Sequence, residues 1–290
     1  MASRAATATA AVIRSFNAEF ISFGYTGAIG PYHWGSLSPD YYACSTGKLQ
    51  SPINIIKDNA IWNPKLEPLT RYYNSANGTL VDSGFNIQLR YDDSVGGLII
   101  EGKNYTLKQM HWHTPSEHTI DGIRYPVELH LVHMSKDGDI AVVAILYNLG
   151  HPDPFLDQLK NPFKELTKEV CSGDEEAHVP VGLVETKSIK RNTRKYFRYM
   201  GSLTTPPCTE NVTWSILGKV RELSMDQLVE LRAPLELDYK NNSRPTQPLN
   251  GRHVYLFDEK YPNNLFGSGA SSNNNNSGDD NDDNDDRSVP

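Results

Sequence analysis

Gln109-Met110-His111-Trp112-His113 and Glu128-Leu129-His130, whose histidine lies seventeen residues after His113, are the stretch on which the reading of this chain turns. Side chains along a strand alternate between faces, so His111 and His113 point the same way. Val127-Glu128-Leu129-His130-Leu131-Val132 alternates too, and a turn around Asp121-Gly122 would fold it back beside the first strand. Three imidazoles then converge on one point and leave a fourth tetrahedral position open. Three protein ligands and an open position separate a catalytic zinc from a closed structural one. The pattern reads as a metal enzyme built on a sheet, with His111, His113 and His130 as ligands.

A single histidine in a strand is ordinarily a core or surface residue, and a lone His-x-His pair is weak support for a metal. Here the neighbours are in register as well. Gln109 lies two residues before His111 and Glu128 two before His130, so each shares a face with a ligand. Metal-bound histidines give their other ring proton to such groups, which fixes tautomer and orientation. His33, His118, His133, His151, His178 and His253 lack that context and read as structural or surface residues. His133 stands an odd number of residues from His130 and should face the other side of its strand.

Further blocks surround this segment. Tyr32-His33-Trp34-Gly35, Gly47-Lys48-Leu49-Gln50-Ser51-Pro52-Ile53-Asn54-Ile55 and Ser116-Glu117-His118-Thr119 come first. Gly201-Ser202-Leu203-Thr204-Thr205-Pro206-Pro207-Cys208-Thr209-Glu210, Val212-Thr213-Trp214 and Arg244-Pro245-Thr246-Gln247-Pro248-Leu249-Asn250-Gly251-Arg252 follow in order. With these blocks the chain resembles the alpha-class carbonic anhydrases, most closely the plant-type members, from about residue 30 to about 260.

The resemblance implies that His111, His113 and His130 hold Zn2+, with water or hydroxide as fourth ligand. Zinc lowers the pKa of its bound water to about 7, and carbonic anhydrase is the reference case for that effect. The hydroxide attacks carbon dioxide in a reversible hydration that yields bicarbonate and a proton. Thr204 matches the family's threonine that accepts a hydrogen bond from the hydroxide and donates its own proton to a buried carboxylate, here Glu117. A hydroxyl whose proton is committed can only accept, which orients the attacking lone pair. Thr205 stands where the family helps hold bicarbonate. Val132, Val142, Leu203, Val212 and Trp214 match the apolar wall where carbon dioxide waits. From the residues alone these five are ordinary strand core, Thr204 and Thr205 are loop threonines, and Glu117 is a surface acid.

One position departs. Efficient members of the family export the proton through a histidine in a Gly-His pair on an early strand. The matching stretch is Asp82-Ser83-Gly84-Phe85-Asn86-Ile87-Gln88-Leu89, and Phe85 occupies the shuttle position. Phenylalanine cannot carry a proton, since transfer needs a group with a pKa near the working pH. The expectation is slowed proton release, partly rescued by small buffers, with His33 as a candidate substitute. Ser36 stands where many relatives have a tyrosine at the cavity rim, and Gln88 reads as a polar wall residue.

The net charge of −7 owes −5 to six aspartates against Arg287 in the last residues. From Gly267 onward the chain is mostly Ser, Asn, Gly and Asp with almost no apolar residues, a composition too polar to offset the entropy of ordering, and it is expected to be disordered. Residues 1–28 are assigned to an N-terminal targeting or flexible segment, 29–266 to the catalytic domain and 267–290 to the tail. No basic stripe suggests nucleic acid, and no apolar run of 18 residues suggests a membrane span. The partner is a small molecule, carbon dioxide or bicarbonate, and the chain is expected to be a monomer or homodimer.

By the same resemblance Cys44 and Cys208 match a pair that is disulfide-bonded in secreted and lumenal members. That bridge would contribute on the order of 4 kcal/mol through loop closure and implies an oxidising compartment. Cys171 is left over, either buried and inert or linking two chains. Sequons occur at Asn77, Asn104, Asn241 and, in the tail, Asn275; that at Asn211 lies inside the Thr204 block and is expected to be inaccessible. Met1 to Ala18 carries Arg4 and Arg14 with no acid, more like an organellar transit peptide than a secretory signal. A secreted or plastid location reconciles these features.

Alternating runs at 86–91, 98–100, 105–113, 128–134, 140–147 and 212–217 predict a mainly β protein with a large, mostly antiparallel sheet. Helical periodicity covers 155–166 and 224–232, where Ser224 and Gln227 can form a capping box. The resemblance adds a twisted central sheet of about ten strands with peripheral short helices, the alpha-carbonic-anhydrase fold. Two alternatives remain: a carbonic-anhydrase-like storage or binding protein, and a different zinc hydrolase. The absence of a His-Glu-x-x-His helix leaves ester hydrolysis as a side activity at most.

Overall fold

The computed structural model describes residues 22–91, 94–172, 177–190 and 193–260. The transit-like segment to residue 18 and the acidic tail lie outside them. All described residues but Lys260 belong to one compact unit ending at Glu259. Ten strands make a continuous hydrogen-bonded path. In chain order they are β1 (Ile61–Trp62), β2 (Ala76–Asp82), β3 (Ile87–Tyr91), β4 (Lys103–His113) and β5 (Val127–Ser135). Then come β6 (Ile140–Leu149), β7 (His178–Val184), β8 (Lys195–Ser202), β9 (Glu210–Leu217) and β10 (Tyr255–Asp258). Their order across the sheet is β7-β2-β3-β4-β5-β6-β9-β8-β10-β1, and three short strands off this path bring the sheet to 13. Most neighbours are antiparallel; β6–β9 and β10–β1 are parallel. The expected mainly β architecture with short helices is the one observed.

The central strands explain the continuous apolar runs. β5 is buried at every residue, because both faces of the sheet centre are covered. One face carries Leu89, Met110, Trp112, Leu131 and Val143 beneath Phe155 and Phe163. The other carries Val132, Val142, Val212, Trp214 and Ile216. Each fully buried side chain of this kind contributes about 1.5–3 kcal/mol.

Several details differ from the sequence reading. Strict alternation from Tyr105 to His113 would put Tyr105 and Leu107 on the histidine face. Instead Val132 pairs with Gln109 and His133 with Leu107, leaving Lys108 as an extra residue in β4. This exposed bulge turns Tyr105 and Leu107 into the opposite core. The helix expected at 155–166 is two helices, Pro154–Asp157 and Lys160–Cys171. Pro162 is the reason: in one continuous helix it could not donate to Gln158 and its ring would clash there, whereas in a first turn its missing N–H costs nothing. Asp121 and Gly122 do form a turn, both at positive φ, but it closes a small hairpin of Thr119–Ile120 with Ile123–Arg124 inside the β4–β5 connection.

Phe23, in the stretch assigned to the N-terminal segment, is buried with Trp34, Cys44 and Cys208. Cys44 and Cys208 are disulfide-bonded, while Cys171 is unpaired and exposed. Asn211, expected to be inaccessible, is exposed, as are Asn77, Asn104 and Asn241. No helix among the described residues is long and apolar enough to cross a membrane.

Candidate metal centre

Register lines residues up in rows across five adjacent strands. One row on the histidine face is Gln88–His111–His130–Ala144–Ile216, and the next is Arg90–Gln109–Val132–Val142–Trp214. His113 stands opposite Glu128 in a third row. The two-residue spacing in β4 and the antiparallel return of β5 thus bring the three imidazoles together, with ligand nitrogens all within 4.8 Å of one another. His113 and His130 are buried and His111 is half-buried.

Hydrogen bonds at the far side of each ring decide its tautomer. His113 Nδ1 lies 2.7 Å from the Asn242 carbonyl oxygen, an acceptor only, so Nδ1 carries the proton. His130 Nε2 donates to Glu128 Oε1 at 2.8 Å, and His111 Nδ1 donates to Gln109 Oε1 at 2.8 Å. Three unprotonated nitrogens, His111 Nε2, His113 Nε2 and His130 Nδ1, are left facing one another. His113 Nε2 is buried with no hydrogen-bond partner, and His130 Nδ1 sits 3.2 Å from His111 Nε2 with no proton between them. Buried lone pairs without a donor are costly unless a cation meets them. Nitrogens about 2.0–2.1 Å from a tetrahedral zinc stand about 3.3 Å apart, so the set fits Zn2+. Burial, reinforced by the neighbouring rings, holds His111 well below the usual imidazole range, and burial lowers His113 to about 4. All three therefore offer lone pairs at neutral pH.

Glu117 is buried beside the triad. Its Oε1 accepts the Arg244 backbone N–H at 2.9 Å, and its Oε2 lies 3.4 Å from His113 Nε2. Burial pushes its carboxyl up to about 7, opposed by His130, the Thr204 hydroxyl and the Arg244 N–H. Oε2 has no partner of good hydrogen-bond geometry, so the Thr204 hydroxyl is adjacent without being aligned on it. Thr205 is half-buried in the same loop, where its carbonyl accepts the Cys208 N–H. Val132, Val142, Val212 and Trp214 fall in one apolar cluster with Leu203 against it. Phe85 turns instead to a different cluster, its ring 4.9 Å from Phe23, and His33 is exposed.

Sequence reasoning missed several residues. His118, read as structural or surface, shares Glu128: its Nδ1 donates to Oε1 at 2.6 Å. Its Nε2 then accepts from the Tyr199 hydroxyl at 2.7 Å, and Tyr199 accepts from Ser51 Oγ at 2.8 Å. Glu128 Oε2 also takes the Glu117 and His118 backbone N–H groups. Burial alone would raise Glu128, but the His118 and His130 rings overcome that and hold it well below the carboxylate range. Asn242 was visible only as part of a sequon, because a carbonyl that orients His113 leaves no mark in residue type.

The eukaryotic-type carbonic anhydrase family model matches residues 29–257. Alpha carbonic anhydrase 7 of Arabidopsis thaliana is 44% identical over 228 residues, covering 79% of this chain and 81% of that one. Among solved structures, dioscorin complexed with ascorbate aligns at a TM-score of 0.78 and 35% identity, over 82% of this chain and 98% of its own. The alpha-carbonic anhydrase from Thermovibrio ammonificans, in complex with sulfanilamide, aligns at 0.72 and 38% identity, over 81% and 99%. Likeness of sequence and of fold thus run together over four fifths of the chain, which belongs to the eukaryotic-type carbonic anhydrase family.

Proposed function

We propose that the protein catalyses the reversible hydration of carbon dioxide to bicarbonate and a proton, with Zn2+ held by His111 Nε2, His113 Nε2 and His130 Nδ1. The observation that carries this reading is the convergence of three unprotonated nitrogens whose tautomers are each set from behind. Bound there, zinc supplies a Lewis acid that makes water nucleophilic at neutral pH. The chain's own residues supply the rest. Gln109, Glu128 and the Asn242 carbonyl keep the imidazoles oriented. Glu117, when ionised, would accept a hydrogen bond from the Thr204 hydroxyl and leave Thr204 Oγ1 only able to accept. Thr205 holds the anionic product, and Val132, Val142, Leu203, Val212 and Trp214 receive the apolar substrate and exclude water.

Proton export is the slow part of this scheme, because Phe85 stands at the shuttle position. Stopped-flow hydration by the zinc-loaded protein, across imidazole-type buffer concentrations, is the test. The expected rate climbs with buffer. A fast rate independent of buffer assigns export to another group such as His33; no rate above background with zinc bound would sink the enzyme reading.

A second reading, a storage or binding protein on this fold, is favoured by the packing of Phe85 away from the triad and by the likeness to dioscorin. Zinc content measured together with activity separates the two. The disulfide points to an oxidising compartment; within that class we assign a secreted or plastid location, which fractionation of the source tissue tests.

A further inference from the structure

The stretch assigned from sequence to a targeting or flexible segment is part of the fold from Phe23 onward. Residues 23–30 close on themselves. The Gly24 N–H donates to the Ile29 carbonyl at 2.8 Å and the Gly30 N–H to the Gly27 carbonyl at 3.1 Å, with Gly27 itself in the left-handed region that favours glycine. The Trp34 indole N–H is shared between the Gly24 and Ile29 carbonyls, at 2.8 and 3.0 Å. Phe23 and Tyr25 stand edge-on to the Trp34 ring at 5.3 and 5.6 Å. Phe23 and Trp34 are both buried.

This strap packs against residues 239–244. The Tyr239 hydroxyl donates to the Phe23 carbonyl at 3.1 Å, and the Tyr239 ring meets Tyr25 edge-on at 6.3 Å. The Arg244 guanidinium lies 5.5 Å over the Trp34 ring. Between those two anchors the same six residues supply backbone groups to the metal centre. The Asn242 carbonyl sets the tautomer of His113, and the Arg244 N–H holds Glu117. Thr114, next to His113, is gripped from the same segment: its hydroxyl donates to the Lys240 carbonyl at 2.7 Å and its N–H to Asn242 Oδ1 at 2.9 Å. Beyond Tyr239 the segment belongs to no helix or strand, so its course depends on these side-chain anchors.

We propose that residues 23–30 are a strap that positions the 239–244 segment at the metal centre, with Tyr239 as the positioning residue through which it acts. Removal of the N-terminal segment therefore stops before Phe23, and the mature chain keeps the strap. The inference rests on zinc at the triad and is independent of the reaction run there. Without the strap the Asn242 carbonyl is held less firmly behind His113, and the metal is released more readily.

Two measurements test this. N-terminal sequencing of the zinc-loaded protein from its source tissue should find every start at or before Phe23; a start beyond it overturns the proposal. In the full chain, Tyr239→Phe keeps the ring against Tyr25 and removes the bond to Phe23. Its zinc should pass to a chelator about three- to tenfold faster than that of wild type. Ser224→Ala, at a helix cap outside the segment, is the control for general loosening and should release zinc at the wild-type rate. Equal release from wild type and Tyr239→Phe overturns the proposal. So does equal acceleration in Ser224→Ala, because lost stability is then the cause. A wild-type protein that binds no zinc overturns the metal assignment as well.

Discussion

His133 shows what burial does to an imidazole with no metal to bind. Its Nδ1 donates to the Ala141 carbonyl at 3.2 Å and its Nε2 accepts from the Tyr73 hydroxyl at 2.7 Å. Burial lowers its pKa to about 3, against about 6.5 in an unfolded chain. The unfolded state therefore takes up the proton first as pH falls. The stability that neutral His133 contributes is complete above about pH 6.5 and is lost progressively towards pH 3, with about 2 kcal/mol gone by pH 5. Urea unfolding of the zinc-loaded protein at pH 7 and pH 5 should show that difference in wild type and lose it in His133→Gln. An equal pH effect in both proteins would place the acid sensitivity elsewhere. Phe85 calls for a second residue-scale experiment. Replacing it by histidine supplies a group able to carry a proton but removes the contact with Phe23. Phe85→His should hydrate carbon dioxide with weaker dependence on buffer and unfold about 1–2 kcal/mol more easily. A buffer dependence identical to wild type would mean that the position does not face the proton's route.

At the scale of elements, local signals were legible and compensated ones were not. The capping box read from Ser224 and Gln227 heads the helix Met225–Arg232, since both halves of the motif lie within four residues. Gln227 also donates to the Asp153 carbonyl and accepts the Asp153 N–H, links that tie this helix to the start of Pro154–Asp157. Ser224→Ala should therefore cost about 1 kcal/mol, and Gln227→Ala about 2–3 kcal/mol because it strands buried partners. Equal losses in chemical denaturation would reduce Gln227 to a cap. β7 is not among the alternating runs of the sequence, and Pro180 and Gly182 punctuate it like a turn. As the terminal strand of the path it tolerates them: proline is admitted where no partner needs its N–H, and the register shift between Pro180 and Gly182 bends an edge that could otherwise recruit another strand. The bulge at Lys108 was equally hidden, because alternation fits either side of it and only pairing with β5 reveals the slip.

For the whole molecule, the candidate site was legible where side-chain type carries it and illegible where backbone does. The triad, Gln109 and Glu128 stand out by spacing on two strands. The carbonyl that orients His113 comes from 129 residues away and the N–H on Glu117 from 127, contacts that no local pattern announces. The disulfide gathers these distant segments. It joins residues 164 apart in sequence. Cys44 accepts at its carbonyl from Arg244 Nη2, the arginine whose N–H holds Glu117, while Cys208 sits just beyond Thr204 and Thr205 and accepts at its carbonyl from Gln50 Nε2. Opening the bond frees the unfolded chain and loosens the threonine loop, but leaves the histidines on strands that do not depend on it. Replacing both cysteines by serine should lower the unfolding free energy by about 4–5 kcal/mol and the Tm by about 10–15 °C. Zinc content should stay close to one per chain while the hydration rate falls several-fold. Loss of zinc in step with activity would show that the bridge supports the metal rather than the loop, and an unchanged Tm would remove its structural role altogether.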